Sequence, residues 1–252
     1  MAKLTVAGIG PGDPDSMTAA VDRSLREADV IIGYSVYIDL IRDRYPGKAY
    51  RTTAMTKETE RCLFALEFAK QGKNTVLICS GDSGIYGMAA LVYELRGESD
   101  SPEILILPGI TAASSGSALL GAPLTHDFAV ISLSDRLTAP EKIEKRLLKA
   151  AEADLSIVIY NPSSKGRPDH LKRACDLLLT VLPPERPCGI AHAIGRDGES
   201  TQILTLAELR DAQTDMFCTV FIGNSETRVI AGKLVTPRGY HYDKDLPFRG
   251  NN

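Results

Sequence analysis

Three glycine-rich segments, each directly after an apolar run, are the features of this chain best suited to binding a ligand. Their sequences are GIGPGD at residues 8–13, GDSGIYG at residues 81–87 and PGITAA at residues 108–113. A glycine turn after a strand lets a ligand approach the backbone closely, and open α/β folds bind ligands at the carboxyl ends of their strands. The segments therefore predict a site built largely from backbone groups, with Asp82 available to accept a hydrogen bond.

Taken singly, each segment also has a structural explanation. Asp82 would suit the N-cap of the helix that follows it, and the small residues after position 110 would let a helix pack close to a neighbour. The first segment departs from the dinucleotide fingerprint, because Asp13 occupies the third glycine position and Pro11 removes a backbone donor. A nicotinamide site is the weaker alternative.

The elements that must position these segments alternate between strand and helix. In the first half, strands are predicted at 4–9, 30–32, 76–79 and 104–107, and helices at 18–28, 58–71, 88–95 and 111–120. Uniformly apolar strands separated by helices favour a mostly parallel sheet covered on both faces.

The second half is richer in strands. Strands are predicted at 128–133, 155–160, 188–194, 201–204, 219–222 and 228–230, and helices from Pro140, at 169–182 and at 207–212. Gly121-Ala122-Pro123 is the best candidate for a boundary. We therefore predict an α/β protein with two α/β domains, residues 1–121 and residues 122–252, of which the second has a mixed sheet.

Composition narrows the class of protein. The 252 residues are 44% hydrophobic and 24% charged, with a formal net charge of −3, which argues against binding nucleic acid through bulk charge. Five scattered cysteines without a CxxC pair predict buried thiols and neither disulfides nor a metal site. No run is apolar enough to span a membrane, and the N-terminus lacks a signal-peptide pattern, so we expect a cytoplasmic protein.

In this order, the three glycine segments resemble those of the tetrapyrrole methylase superfamily, the class III methyltransferases. The likeness continues through YNP at 160–162, GIA at 189–191 and FIGN at 221–224, and so spans essentially the whole chain. It implies a homodimer that binds S-adenosylmethionine in a cleft between the two domains. The cofactor-binding residues that the resemblance implies are Pro11, Gly81, Asp82, Gly84, Ile85, Tyr86, Thr111, Ala112, Tyr160, Asn161, Ala191, Gly223 and Asn224.

Further segments are similar to the C17-methylating subgroup of this superfamily. They are GYSVY at 33–37, LTHDF at 124–128, ISLSD at 131–135, YNPSSKGR at 160–167 and VTPRGY at 235–240. This similarity implies methylation of precorrin-3B at C17 with ring contraction, on the way to cobalamin. The cobalt-containing counterpart, cobalt-factor III, is the alternative substrate, and an RNA ribose methylase of the same superfamily is a more distant one. A ligand-binding protein without catalytic activity is a further alternative.

Methyl transfer from a sulfonium needs alignment and a dry site, and no nucleophilic side chain. Ring contraction also needs a proton to be given or taken. The candidates are polar residues of the subgroup segments, namely His126, Asp127, Ser134 and Asp135. Structural roles stay open for them: Asp127 in a turn, Asp135 as a helix cap, and His126 bonded to a loop carbonyl.

The resemblance also implies a substrate with eight carboxylate side chains. Arginine and lysine form charge-assisted hydrogen bonds to carboxylates, and aromatic side chains can lie against a macrocycle. The predicted substrate-binding residues are Asp13, Tyr34, Tyr37, Arg51, Lys165, Arg167, Arg196 and Arg238.

Overall fold

The computed structural model describes residues 3–164 and 166–241, and the chain divides into two compact units. The first unit is Met1–Gly116 with His192–Ser200, and the second is Ser117–Ala191 with Thr201–Asn252. The short segment His192–Ser200 thus joins the first unit although it lies late in the sequence. The domain boundary at residue 121 stays a prediction.

The first unit contains a five-stranded sheet. Its strands are β1 (Lys3–Gly8), β2 (Val30–Tyr34), β3 (Ala49–Thr53), β4 (Thr75–Cys79) and β5 (Glu103–Leu107). They lie in the order β3-β2-β4-β1-β5, and all four neighbouring pairs are parallel, which confirms the predicted parallel sheet. Gly8 pairs with Cys79 and Ala7 with Leu107, so the loops that follow β1, β4 and β5 leave the same edge.

Helices cover both faces of this sheet. They are α1 (Ala19–Glu27), α2 (Ser35–Asp39), α3 (Glu58–Lys70) and α4 (Ala89–Arg96). A fifth helix, α5 (Ala112–Leu120), follows β5 and extends past Gly116, where the first unit ends. Because strand side chains alternate between faces, Val6 packs with α3 and α4, whereas Ala7 packs with α1 and α2. Burial on both faces explains why the central strands β2, β4 and β1 are largely apolar, whereas the edge strand β3 is largely exposed.

The second unit contains a mixed sheet. Its elements are β6 (Gly121–Ala122), β7 (Phe128–Ser132), α6 (Pro140–Glu152), β8 (Ser156–Tyr160), α7 (His170–Leu178), β9 (Pro187–His192), β10 (Ser200–Thr205), α8 (Leu206–Arg210), β11 (Cys218–Ile222), β12 (Arg228–Ile230) and β13 (Lys233–Val235). The larger sheet has the order β10-β9-β11-β8-β7; β7 is parallel and β11 antiparallel to β8, as the prediction of a mixed sheet requires. A smaller sheet has the order β12-β13-β6.

All five cysteines are buried free thiols. Burial raises the pKa of the Cys62 and Cys175 thiols to about 12, so they stay protonated and act as small apolar side chains. The buried thiols predicted from the sequence are confirmed. Among the described helices, none is both long and apolar enough to cross a membrane.

Candidate functional site

The three glycine segments meet at the carboxyl edge of the first sheet. Gly10 and Gly81 exchange backbone hydrogen bonds of 3.1 and 2.7 Å, and both have a positive φ. A Cβ at Gly8 would lie 2.6 Å from the Gly81 carbonyl oxygen, and one at Gly109 only 2.1 Å from it. Backbone therefore packs directly on backbone here, which explains the glycines.

Asp82 ties the second loop to the third. Its Oδ1 accepts hydrogen bonds from the amides of Gly84 and Ile85 at 2.8 and 3.0 Å, and its Oδ2 accepts from the Gly109 amide at 2.9 Å. The helix-cap explanation was wrong, because α4 begins at Ala89 with Met88 as its N-cap. The Asp82 carboxylate positions backbone groups of both loops.

Apolar side chains stand exposed beside these loops. Ile85, Tyr86 and Ile110 are 42%, 58% and 38% exposed. Tyr86 has φ +54°, a left-handed conformation that typically costs a residue other than glycine about 1–3 kcal/mol. The edge thus offers polar backbone and apolar side chains together, as a ligand with both kinds of surface requires. Thr111 and Ala112, at the start of α5, lie half-buried against it.

Two arginines and two tyrosines form a row in the first unit. Arg196 donates hydrogen bonds to the Pro11 carbonyl and the Ser80 hydroxyl, both at 2.9 Å, and its guanidinium lies 5.9 Å from the Tyr37 ring centroid. The rings of Tyr37 and Tyr34 pack edge to face at 5.4 Å. Burial lowers the pKa of Arg196 and raises that of Tyr37, because it disfavours the charged form of each.

Arg61 completes this row, and the sequence analysis missed it. Its guanidinium lies 5.9 Å from the Tyr34 ring centroid and donates to the Thr53 hydroxyl at 2.9 Å and the Ala54 carbonyl at 3.0 Å. The side chain is only 4% exposed, although arginine is rarely buried unless paired. A usable signal was its spacing, since Arg61 lies four residues before Ala65 on the apolar stripe of α3.

Replacing Arg61 by Met should lower the free energy of unfolding by about 2 kcal/mol, because the Thr53 hydroxyl and the Ala54 carbonyl lose their donor. Arg51→Met is the matched control: Arg51 is exposed on β3, and its loss should change stability by less than about 0.5 kcal/mol. Urea unfolding followed by circular dichroism measures both variants. Equal stability of the two would show that Arg61 contributes nothing beyond its apolar stem.

In the second unit, the segment after β7 lies against the segment after β8. The Leu133 amide donates to the Tyr160 carbonyl at 2.9 Å, and the Asn161 Nδ2 donates to the Ser132 hydroxyl at 2.9 Å. Asn161 has φ +53°, which places its side chain at a sharp turn after the strand. Two segments singled out in the sequence are therefore neighbours in this unit.

Asp135 and Arg167, predicted for different roles, form an ion pair. Arg167 Nε lies 2.6 Å from Asp135 Oδ1, with both side chains about a third exposed or less. His170, which the sequence analysis did not single out, places its Nε2 3.7 Å from Asp135 Oδ2. Asp135 and His170 also line a small, open surface pocket of about 50 Å³ beside α6 and α7. A carboxylate, a guanidinium and an imidazole thus meet in one place.

The other predicted proton-transfer residues lie in loops around β7. His126 is half-buried just before this strand, and Asp127 is exposed, with its carbonyl accepting from the Ser156 amide at 3.2 Å. The Ser134 amide donates to the Ser132 hydroxyl at 3.2 Å. No side-chain hydrogen bond joins His126 to another residue of the described ranges.

Several further predicted residues have structural contacts. Asn224 Oδ1 accepts a hydrogen bond from the Glu226 amide at 3.1 Å and so closes a turn. Gly223 precedes this turn, and a Cβ at Gly223 would collide with the Thr227 side chain. Ala191 is fully buried in β9. The Asp13 carboxylate accepts from the Asp15 amide at 3.0 Å.

The remaining predicted substrate-binding residues are separate from these contacts. Arg238 is exposed and donates to the Thr125 carbonyl at 3.0 Å. Arg51 is exposed on β3, with its guanidinium near the Phe68 ring. Lys165 lies outside the described residues.

Known proteins resemble this chain over nearly its full length. A relative from Salmonella typhimurium, named probable cobalt-factor III C(17)-methyltransferase, is 44% identical over 238 residues, which are 94% of this chain and 99% of the relative. The cobalamin biosynthesis protein CbiHC of Archaeoglobus fulgidus is 42% identical over 94% of this chain, which spans about half (53%) of that longer relative.

A solved structure, that of the methyltransferase CobJ, superimposes with a TM-score of 0.87 at 38% identity, covering 94% of this chain and 100% of the other. The sequence pattern of the Tetrapyrrole (Corrin/Porphyrin) Methylases matches residues 3–210. With the parallel first sheet, the mixed second sheet and the joined glycine loops, these matches confirm the fold and the resemblance found in the sequence. The chain belongs to the tetrapyrrole methylase family.

Proposed function

We propose that this chain is a C17-methyltransferase of cobalamin biosynthesis that takes its methyl group from S-adenosylmethionine and acts on cobalt-factor III. The observation that carries the proposal is the 44% identity to a relative of that name, covering nearly all of both chains. Metal-free precorrin-3B, which the sequence analysis placed first, is the second candidate. The structural likeness to the methyltransferase CobJ supports methyl transfer by this fold and is equally consistent with either substrate.

The glycine loops of the first unit fit the proposed cofactor. The glycines let the three loops meet backbone against backbone, and the exposed Ile85 beside them offers a ligand an apolar wall. Backbone groups of Gly81 and Thr111 would hold the cofactor, with Asp82 fixing the loop that carries them. S-adenosylmethionine supplies an electrophilic methyl group, and these residues orient it and exclude water.

The row of Arg61, Tyr34, Tyr37 and Arg196 fits an anionic, aromatic substrate. Two guanidinium groups lie at the ends of one tyrosine pair, within about 6 Å of a ring face. Such a row gives this edge of the sheet a positive charge that would attract the carboxylates of a tetrapyrrole. We propose that Arg196 orients the substrate, while the buried Arg61 holds the Tyr34 ring in place through its guanidinium.

Calorimetry and turnover test this function. S-adenosylmethionine should bind to the purified chain, whereas NAD should not; tight NAD binding would contradict the proposal. With cofactor present, cobalt-factor III should be converted into a product heavier by one methyl group. Faster turnover of precorrin-3B would favour the second candidate, and methylation of neither compound would refute both.

We also propose that the enzyme acts as a homodimer in the cytoplasm. The support is the family resemblance and the absence of a membrane-crossing helix among the described ones. Light scattering of the purified chain tests the dimer directly, since a monomeric mass under assay conditions would contradict it.

A further inference from the structure

We propose that His170 is a positioning residue for ring contraction, which holds Asp135 in its working orientation together with Arg167. The inference rests on the proposed function, since it names the group that supports the acid–base residue of that reaction. It differs from the expectation that His126 is the histidine involved.

Hydrogen bonding determines which nitrogen of His170 faces Asp135. His170 Nδ1 lies 3.0 Å from the Leu133 carbonyl oxygen, and a carbonyl only accepts hydrogen bonds. Nδ1 therefore carries a proton in both charge states of the ring. The nitrogen that faces Asp135 is Nε2, which lies 3.7 Å from Asp135 Oδ2.

Asp135 lies between a guanidinium and an imidazole. Arg167 Nε lies 2.6 Å from one carboxylate oxygen, and His170 Nε2 lies 3.7 Å from the other, which is an ion-pair distance and too long for a hydrogen bond. The other charged groups lining the pocket, Glu144 on α6 and Arg173 on α7, lie 3.5 Å apart and largely compensate each other.

Asp135 lies in the same short segment as two residues that are hydrogen-bonded to Tyr160 and Asn161. It lies three residues after Ser132, whose hydroxyl accepts a hydrogen bond from Asn161. The Leu133 carbonyl, which anchors His170, belongs to the residue whose amide is bonded to Tyr160. Residues 132–135 thus contact His170 on one side and, on the other, Tyr160 and Asn161, which are proposed to bind the cofactor.

The test replaces His170 by Asn. The Asn Nδ2 takes the place of Nδ1 and keeps the hydrogen bond to the Leu133 carbonyl, whereas the nitrogen that faces Asp135 is lost. We expect unchanged melting temperature, S-adenosylmethionine affinity and KM for cobalt-factor III, and contraction slowed about 100-fold. Uncontracted macrocycle should then accumulate. Lys172→Asn, on an exposed position of the same helix, is the matched control and should behave like the wild type.

The separation of kcat from KM distinguishes positioning from a merely structural role. In His170→Asn, the loss should appear in the kcat of contraction, while the KM for cobalt-factor III and the melting temperature stay those of the wild type. A wild-type kcat in the variant would overturn the inference and leave the proposed function intact, because the wild type would still methylate. Absence of methylation by the wild type would overturn both.

A double-mutant cycle keeps the test decisive if His170→Asn destabilises the fold. Asp135→Asn should itself slow contraction, and adding His170→Asn should slow it no further, because the second residue acts through the first. Multiplied losses in the double variant, measured on folded protein selected by gel filtration, would show that His170 acts independently of Asp135 and would overturn the inference.

Discussion

Asp82→Ala should lower the affinity for S-adenosylmethionine by roughly 100-fold or more, as measured by calorimetry. The Asp82 carboxylate accepts three backbone hydrogen bonds, two within its own loop and one from Gly109 in the next. These hydrogen bonds hold both loops in one arrangement before the cofactor arrives. Without them the loops must be ordered on binding, and a cost of roughly 3 kcal/mol for that ordering corresponds to about 100-fold in affinity. Without the carboxylate, the two loops no longer share an anchor.

Asp82→Asn isolates the bond between the loops. Its Oδ1 still accepts from Gly84 and Ile85, whereas its Nδ2 faces the Gly109 amide and cannot accept from it. We expect an affinity between those of Asp82→Ala and the wild type, with the smaller loss of melting temperature. If Asp82→Ala lowers the melting temperature but binds the cofactor normally, Asp82 has only a structural role.

Gly109→Ala should abolish cofactor binding and lower the free energy of unfolding by about 3 kcal/mol. The added Cβ would lie 2.1 Å from the Gly81 carbonyl oxygen and 2.4 Å from that of Gly8, and both are backbone atoms of neighbouring loops. Overpacking of this kind costs about 1–3 kcal/mol, and backbone has little room to move away from it.

Gly166→Ala is the matched control for this substitution. A Cβ there would meet no atom within 4 Å, and its backbone does not have a positive φ. Thermal unfolding and calorimetry should find this variant close to the wild type. A Gly109→Ala protein that is as stable as the control and binds the cofactor would contradict the account of the joined loops.

Most of the first sheet was predictable because its central strands β2, β4 and β1 are buried on both faces and are therefore largely apolar. The edge strand β3 was missed, since its sequence AYRTT is largely exposed and lacks an apolar run. The mixed second sheet followed from the number and spacing of its strands. The place of Arg196 in the first unit did not, because nothing in the local sequence indicates that His192–Ser200 returns there.

The sequence predicted that the three glycine loops form the candidate site. It did not predict most of the side-chain contacts within that site. Family motifs led to Asp82, yet its bond to Gly109 depends on two loops 27 residues apart meeting in space. His170 gave no sequence signal, because its contact with Asp135 depends on how α7 begins beside the segment after β7. The spacing of Arg61 on the apolar stripe of α3 indicates burial, but only the fold shows that its guanidinium lies over the Tyr34 ring.

The most direct test of the central claim is the position of the transferred methyl group. Purified chain should be incubated with S-adenosylmethionine carrying an isotope-labelled methyl group and with cobalt-factor III, and the product analysed by NMR. The account predicts one labelled methyl group, located on C17 of a contracted ring, and none when Gly109→Ala replaces the wild type. A label on another ring carbon, or its absence from the macrocycle with the wild-type protein, would contradict it.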